Sequence, residues 1–122
     1  MKLAIIGSRS ANRIEIDRYI PAEVTEIVSG GADGIDTLAK KYAIRKQIPL
    51  KEFLPAYHLY GRAAPIKRNE EIAEYADQAL AFWDGSSKGT QHTIRFFQKR
   101  NKPITVILLH DQTSAPTAPK KS

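Results

Sequence analysis

The run Val28-Ser29-Gly30-Gly31-Ala32-Asp33-Gly34-Ile35-Asp36-Thr37-Leu38-Ala39 decides how the rest of the chain is read. It leaves a β-rich stretch, residues 26–29 centred on Ile27-Val28, and crosses a glycine-rich turn. It then enters a helical pattern in which Ile35, Leu38, Ala39, Tyr42 and Ala43 fall on one stripe. A strand, a tight loop of small residues and an amphipathic helix, in that order, make half of a βαβ unit. The same order recurs on either side. Residues 3–6 are a short β-rich run closed by Gly7-Ser8, and residues 50–54 carry Phe53 and end at Pro55. Residues 78–83 read Gln-Ala-Leu-Ala-Phe-Trp, and residues 104–109, Ile-Thr-Val-Ile-Leu-Leu, are the strongest strand signal in the chain.

Helical patterns lie between these runs. Ile66, Asn69, Ile72, Ala73 and Ala76 form one stripe, with Glu70 and Glu71 in its first half, where the helix dipole favours acids. Residues 90–100 bury Ile94 and Phe97 and run into Lys99-Arg100-Asn101-Lys102-Pro103, a stop signal. Residues 11–20 make a weaker helix ended by Pro21. Five strands alternating with four helices predict a single α/β Rossmann-like domain over residues 1–109, a five-stranded parallel sheet with helices on both faces. Near-continuous apolar strands fit a sheet covered on both sides. Residues 110–122 lack periodicity and are expected to be a disordered tail.

Composition removes whole classes of function. Of 122 residues, 42% are hydrophobic and 26% charged, the balance of a packed globular chain rather than a disordered one. No apolar run approaches the roughly 20 residues of a membrane span. The apolar start is too short for a secretory signal, so the expected compartment is the cytoplasm. With no cysteine, disulfide scaffolds, thiolate zinc sites and cysteine nucleophiles are excluded. His58, His92 and His110 show no ligand-like spacing, so neither a metal nor any other cofactor is expected. No Gly-x-Ser-x-Gly elbow supports a hydrolase triad.

The net charge of +6 permits a phosphate-bearing partner. Much of it sits late in two helices, however: Lys40, Lys41, Arg45 and Lys46 in one, Arg95, Lys99, Arg100 and Lys102 in the other. Cations there complement helix C-termini without any partner. The remainder, Arg9, Arg13, Arg62, Lys67, Arg68 and Lys88, stands against Asp33, Asp36, Asp84, Glu70 and Glu71. Such a mixed site suits a small ligand with phosphate and ribose better than a long polyanion groove.

Open parallel sheets bind ligands outside the carboxyl ends of their strands, where strand order reverses. Three small-residue loops follow three of the strands: Gly7-Ser8-Arg9-Ser10, the Ser29–Gly34 loop containing Gly30, Gly31, Ala32 and Asp33, and Asp84-Gly85-Ser86-Ser87-Lys88-Gly89-Thr90. Two of them feed helix N-termini, where free amides and the helix dipole hold phosphate. Arg9 is either a phosphate clamp or a solvated loop residue. Arg68 and Asn69 are a phosphate and ribose pair, or a surface arginine with a capping asparagine. Asp33 and Asp36 either accept ribose hydroxyls or serve the start of the helix. Asp84 is a ribose-binding carboxylate or a plain Asp-Gly turn. Trp83 reads as core or pocket wall, and Thr90 contacts phosphate or caps its helix.

The motifs Gly7-Ser8-Arg9, the run from Val28 to Ala39, Arg68-Asn69, Ala76-Asp77, and the stretch from Phe82 to Ile94 together resemble the SLOG superfamily. Within it they are most similar to the cpYpsA-related (YspA-like) branch of small stand-alone domains. The resemblance covers roughly residues 1–109. It implies a Rossmann-like fold that binds nucleotides or nucleotide-derived ligands of the ADP-ribose type, with ligand sensing as the expected role and a homodimer as a possible assembly. The superfamily also includes LOG-type phosphoribohydrolases and the DNA-processing protein Smf, so hydrolysis of a nucleotide and binding of single-stranded nucleic acid are the alternatives. LOG-type hydrolases carry Pro-Gly-Gly-x-Gly-Thr-x-x-Glu. Here Gly89-Thr90 is kept, but Thr93 stands in place of the catalytic glutamate, which leans against enzyme activity by that route. The proline before Arg68-Asn69 is kept as Pro65, whereas the Tyr57-His58-Leu59-Tyr60-Gly61-Arg62 loop replaces the acid-plus-tryptophan pattern of that branch.

Overall fold

A computed structural model describes residues 1–8, 14–31 and 34–109. Five strands form one sheet: β1 (Lys2–Gly7), β2 (Glu26–Ser29), β3 (Leu50–Glu52), β4 (Gln78–Trp83) and β5 (Ile104–Leu108). The helices are α1 (Ile35–Lys46), a single turn α2 (Tyr57–Tyr60), α3 (Ala64–Tyr75) and α4 (Lys88–Lys99). Every strand pair is parallel and the order is β3-β2-β1-β4-β5. The chain moves outward from β1 to β3, then crosses back to lay β4 on the other side of β1. Strand order therefore reverses between β1 and β4, and the connections leaving their carboxyl ends diverge.

Alternation within the apolar strands sorts them onto two cores. Leu3, Ile5, Ile27, Leu80 and Phe82 face α1, which contributes Ile35, Ala39, Tyr42 and Ala43. Ala4, Ile6, Val28, Ala79 and Ala81 face the other way, against Ile72 and Ala73 of α3 and Ile94 and Phe97 of α4. Alanines on that face leave room for two helices side by side. Each fully buried aliphatic or phenyl side chain contributes about 1.5–3 kcal/mol. The edge strands are less covered: Lys51 and Glu52 of β3 are exposed, as are Val106 and Leu108 of β5.

The expected helix over residues 11–20 is absent from the part described. Residues 14–16 have no regular structure and only Asp17–Tyr19 form a 3₁₀ turn. Ile14, Ile16, Tyr19 and Ile20 all pack on the α1-side core. A helix would set Ile14 and Ile16 about 200° apart and could not bury both. The remaining expectations shift by a few residues. β3 stops at Glu52 rather than at residue 54, and α4 begins at Lys88, two residues early.

Basic residues after α4 hold the end of α3. The Lys102 ammonium donates to the carbonyls of Ala73, Glu74 and Ala76 at 2.7, 2.8 and 2.8 Å. Arg100 meets Glu74 at 2.6 Å and Glu70 at 3.5 Å. These are carbonyls that a helix end leaves without partners. Lys102→Met keeps the apolar stem and removes the ammonium. It is expected to lower unfolding free energy by about 1–2 kcal/mol, read as an earlier urea midpoint at unchanged m-value.

Candidate functional site

A cleft of about 520 Å³ opens at the reversal point, within the size range of small-molecule sites. Its floor is Ile6 at the end of β1 and Ile72 of α3. The walls come from the loops after β1, β2 and β4 and from the first turns of α1, α3 and α4.

At the end of β1, Gly7 has no room for a side chain. A Cβ there would lie 2.7 Å from the Phe82 carbonyl oxygen and 3.0 Å from Ile35 Cγ2. Ser8 continues the ladder by donating its N–H to Phe82 O at 3.0 Å. Its buried hydroxyl oxygen accepts the Asp84 N–H at 3.2 Å, which ties the β1 loop to the β4 loop.

The loop after β2 is drawn against α3. Ser29 is fully buried, and its hydroxyl oxygen accepts the Gly31 N–H at 3.4 Å. Gly31 turns with φ +71°, and a side chain there would run into Leu54. Gly30 lines the cleft, and its carbonyl accepts Arg68 Nη1 at 2.7 Å. Gly34, at φ 75°, starts α1, and no side chain among the described residues caps that helix. Asp36, almost fully buried in the first turn of α1, lines the cleft. Arg9, Ala32 and Asp33 lie outside the described residues.

Arg68 and Asn69 act as a strut between three elements. Arg68 Nε donates to Asn69 Oδ1 at 2.8 Å, and Nη1 reaches Gly30 O and, at 3.5 Å, Phe53 O. Asn69 Nδ2 reaches Gly89 O at 3.5 Å. The pair thus joins the ends of β2 and β3 to the start of α4, and both residues line the cleft.

After β4 the chain makes a turn organised by one carboxylate. Asp84 Oδ1 accepts the N–H groups of Ser86 and Ser87 at 2.9 and 2.7 Å, with Gly85 at φ +88° between them. These amides, Ser86 first, hold the Asp84 carboxyl below its ordinary value of 3.8. Asp84 also lines the cleft, whereas Gly85 does not. Trp83 is likewise outside the cleft lining. Its indole N–H donates to Ser87 O at 2.9 Å and its ring packs on the α3/α4-side core.

α4 then begins with no acid in its first turn and no side-chain cap among the described residues. Gly89 and Thr90 line the cleft. Thr93 is buried, and its hydroxyl donates to Gly89 O at 2.9 Å.

Nine of the expected residues therefore gather around one opening: Gly7, Ser8, Gly30, Asp36, Arg68, Asn69, Asp84, Gly89 and Thr90. Ser29, Gly31, Trp83 and Gly85 stand behind it, shaping loops. Ile6, Pro65, Ile72, Ser87 and Thr93 line it without having been singled out as ligand contacts. A signal existed for Ile72, which shares the Asn69 stripe, and for Thr93, one turn after Thr90. Among the described residues, no three His, Asp or Glu side chains gather as a metal site requires, and no helix is long and apolar enough to cross a membrane.

Such a domain, an open parallel sheet with a polar cleft at its reversal point, belongs to the Rossmann-like class. Residues 1–108 match the family described as DNA recombination-mediator protein A, and the chain belongs to that family. This agrees with the relationship to SLOG-type and DNA-processing proteins expected from the motifs. The chain is also similar to Gene 61 protein of Mycobacterium phage D29. The two are 34% identical over 84 residues, covering 64% of this chain and 67% of the phage protein. No solved structure matches it.

The Asp84 turn should make stability depend on pH. A carboxyl whose folded-state value is lowered stabilises above its unfolded value and loses that effect as pH falls through the folded value. Asp84→Asn is therefore expected to be less stable than the wild type at pH 7. The gap should close as pH falls below 3.8, measured as urea midpoints of both proteins across that range.

Proposed function

We propose that the cleft binds a nucleotide or nucleotide-derived ligand of the ADP-ribose class through its phosphate, as a binding and sensing domain rather than a hydrolase. The observation that carries this reading is the convergence of two helix starts on one opening. The first turns of α1 and α4, neither capped by a described side chain, meet at the reversal point of the sheet. The first amides of a helix lack intrahelical partners and attract anions. Asp36 supplies a carboxylate on the α1 side suited to ribose hydroxyls, the role of the acidic group in dinucleotide folds. Thr93 supports binding over turnover, because its hydroxyl is engaged with Gly89 O where a hydrolase would carry a glutamate.

A second reading rests on the family match. In it the cleft holds the nucleotide as one unit of a single strand, a reading that the family's description in terms of DNA recombination allows. Salt separates the two. Strand affinity falls with salt in proportion to the phosphates contacted, whereas one phosphate gives a shallow dependence.

Gly89→Glu tests the cleft without threatening the fold. A Cβ at Gly89 meets nothing closer than Asn69 Nδ2 at 4.0 Å, and an acid in the first turn of a helix is favourable. The variant is expected to melt no lower than the wild type. AMP or ADP-ribose at about 100 times its Kd should stabilise the wild type by about 2.7 kcal/mol and leave the variant unmoved. Stabilisation by a short oligonucleotide alone, lost at high salt, would shift the assignment to single-stranded nucleic acid. Equal nucleotide responses in both proteins would remove the cleft from consideration.

A further inference from the structure

The connection between β3 and α3 exposes apolar side chains in an unusual concentration. Leu54, Tyr57, Leu59 and Tyr60 are 63, 60, 67 and 42% exposed within seven residues. Isolated exposed apolar residues are ordinary, but a cluster marks a surface that meets something. Tyr57 and Tyr60 are three residues apart on the single turn α2, so their rings leave the same side of it.

Both ends of this connection are fixed at the cleft. At its start, Phe53 donates its N–H to Ser29 O at 2.9 Å, and its carbonyl is reached by Arg68. At its end, Pro65 lines the cleft in the first turn of α3. The segment is also one-signed. Between Phe53 and Asn69 there is no Asp or Glu, while His58, Arg62, Lys67 and Arg68 are all present. The Lys67 ammonium lies 5.8 Å from the centre of the Tyr60 ring. Exposed aromatic rings interleaved with cations, with no acid among them, fit a flat apolar group attached to a phosphate. Base-on-ring stacking with nearby cations is how proteins hold nucleobases without reading their edges.

We infer that residues 54–67 form a nucleobase-stacking lip, on which Tyr57 and Tyr60 take the base of a nucleotide whose phosphate lies in the cleft. The inference rests on the nucleotide reading of that cleft and adds to it a preference for ligands that carry a base.

Titration calorimetry of the full chain with AMP, ribose 5-phosphate and octameric deoxyadenylate tests it. The wild type should bind AMP at least about tenfold more tightly than ribose 5-phosphate. In Tyr57→Ala/Tyr60→Ala, AMP should fall to the ribose 5-phosphate affinity while ribose 5-phosphate is unchanged. Tyr57→Phe/Tyr60→Phe should restore the preference, which loss of folding would not allow. A stronger effect of the alanine pair on the octamer than on AMP identifies the base as part of a strand, and equal effects identify a free nucleotide. If AMP and ribose 5-phosphate bind equally, or the alanine pair keeps the preference, the lip is overturned while the cleft reading stands. If the alanine pair abolishes self-association and leaves nucleotide affinity intact, the patch belongs to a second copy of the chain and the lip is again overturned. If none of the three probes binds the wild type, the cleft reading fails and the lip with it.

Discussion

Everything at the reversal point depends on a steric constraint at Gly7. β1, β4 and α1 converge there so closely that even a methyl group would collide with the Phe82 carbonyl and with Ile35. That closeness lets Ser8 reach across to the Asp84 amide and lets α1 start beside the end of the central strand. The two apolar cores provide the force for it, since the strands and helices can come this near only because nothing polar needs hydration between them. The cleft is the remainder. It is the space left where loops depart in opposite directions from two strands that are themselves locked together.

The polar residues around the opening are tied to one another, although Asp84 is exposed and Arg68 and Asn69 are half-buried. Arg68 spans from the β2 loop to Asn69, Asn69 reaches the start of α4, and Asp84 folds its own turn. Charged side chains cost much to bury alone and little when their hydrogen bonds are supplied. This network sets the positions of Gly30, Ser87 and Gly89 before any ligand arrives, so that these three residues need no ordering on binding. Arg68 thus has a part that its residue type alone does not suggest. A guanidinium in a candidate phosphate site suggests a clamp, yet its contacts here include two backbone carbonyls and a neighbouring side-chain amide.

How much of this could be read from the sequence varies with the physics involved. Residues 26–29 and 78–83 coincide with β2 and β4 because buried parallel strands are continuous apolar runs bounded by turns. The stretch over residues 11–20 misled, because apolar residues are present at a density that suits a helix but at a spacing that does not. Its isoleucines satisfy the core from an irregular backbone instead. β3 falls short of residue 54 because Leu54 is turned out toward solvent beside Gly31. Of the site, the glycine loops were legible from composition and the position after strands. Of the floor, Ile72 was legible only through the stripe it shares with Asn69, and Ile6 looks like any core isoleucine until the topology places it under the opening.

The strand order has a temporal consequence for a chain made from its N-terminus. β1 finds β2 early, because Lys2 pairs with Glu26, but its other edge stays open until Gln78 arrives to pair with Leu3. The backbone N–H of Lys2 is finally held by Asp77, 75 residues further on. The end of α3 waits longer still, because its carbonyls are held by Lys102. Closing such long loops costs entropy before the contacts repay it. Until β4 is in place, the strand that ends up at the centre of the sheet has one edge without its partner. The cleft takes its lining from both halves of the chain, from Ile6 to Asp36 and from Pro65 to Thr93, so binding competence requires the second half to close over that edge rather than any single loop to form.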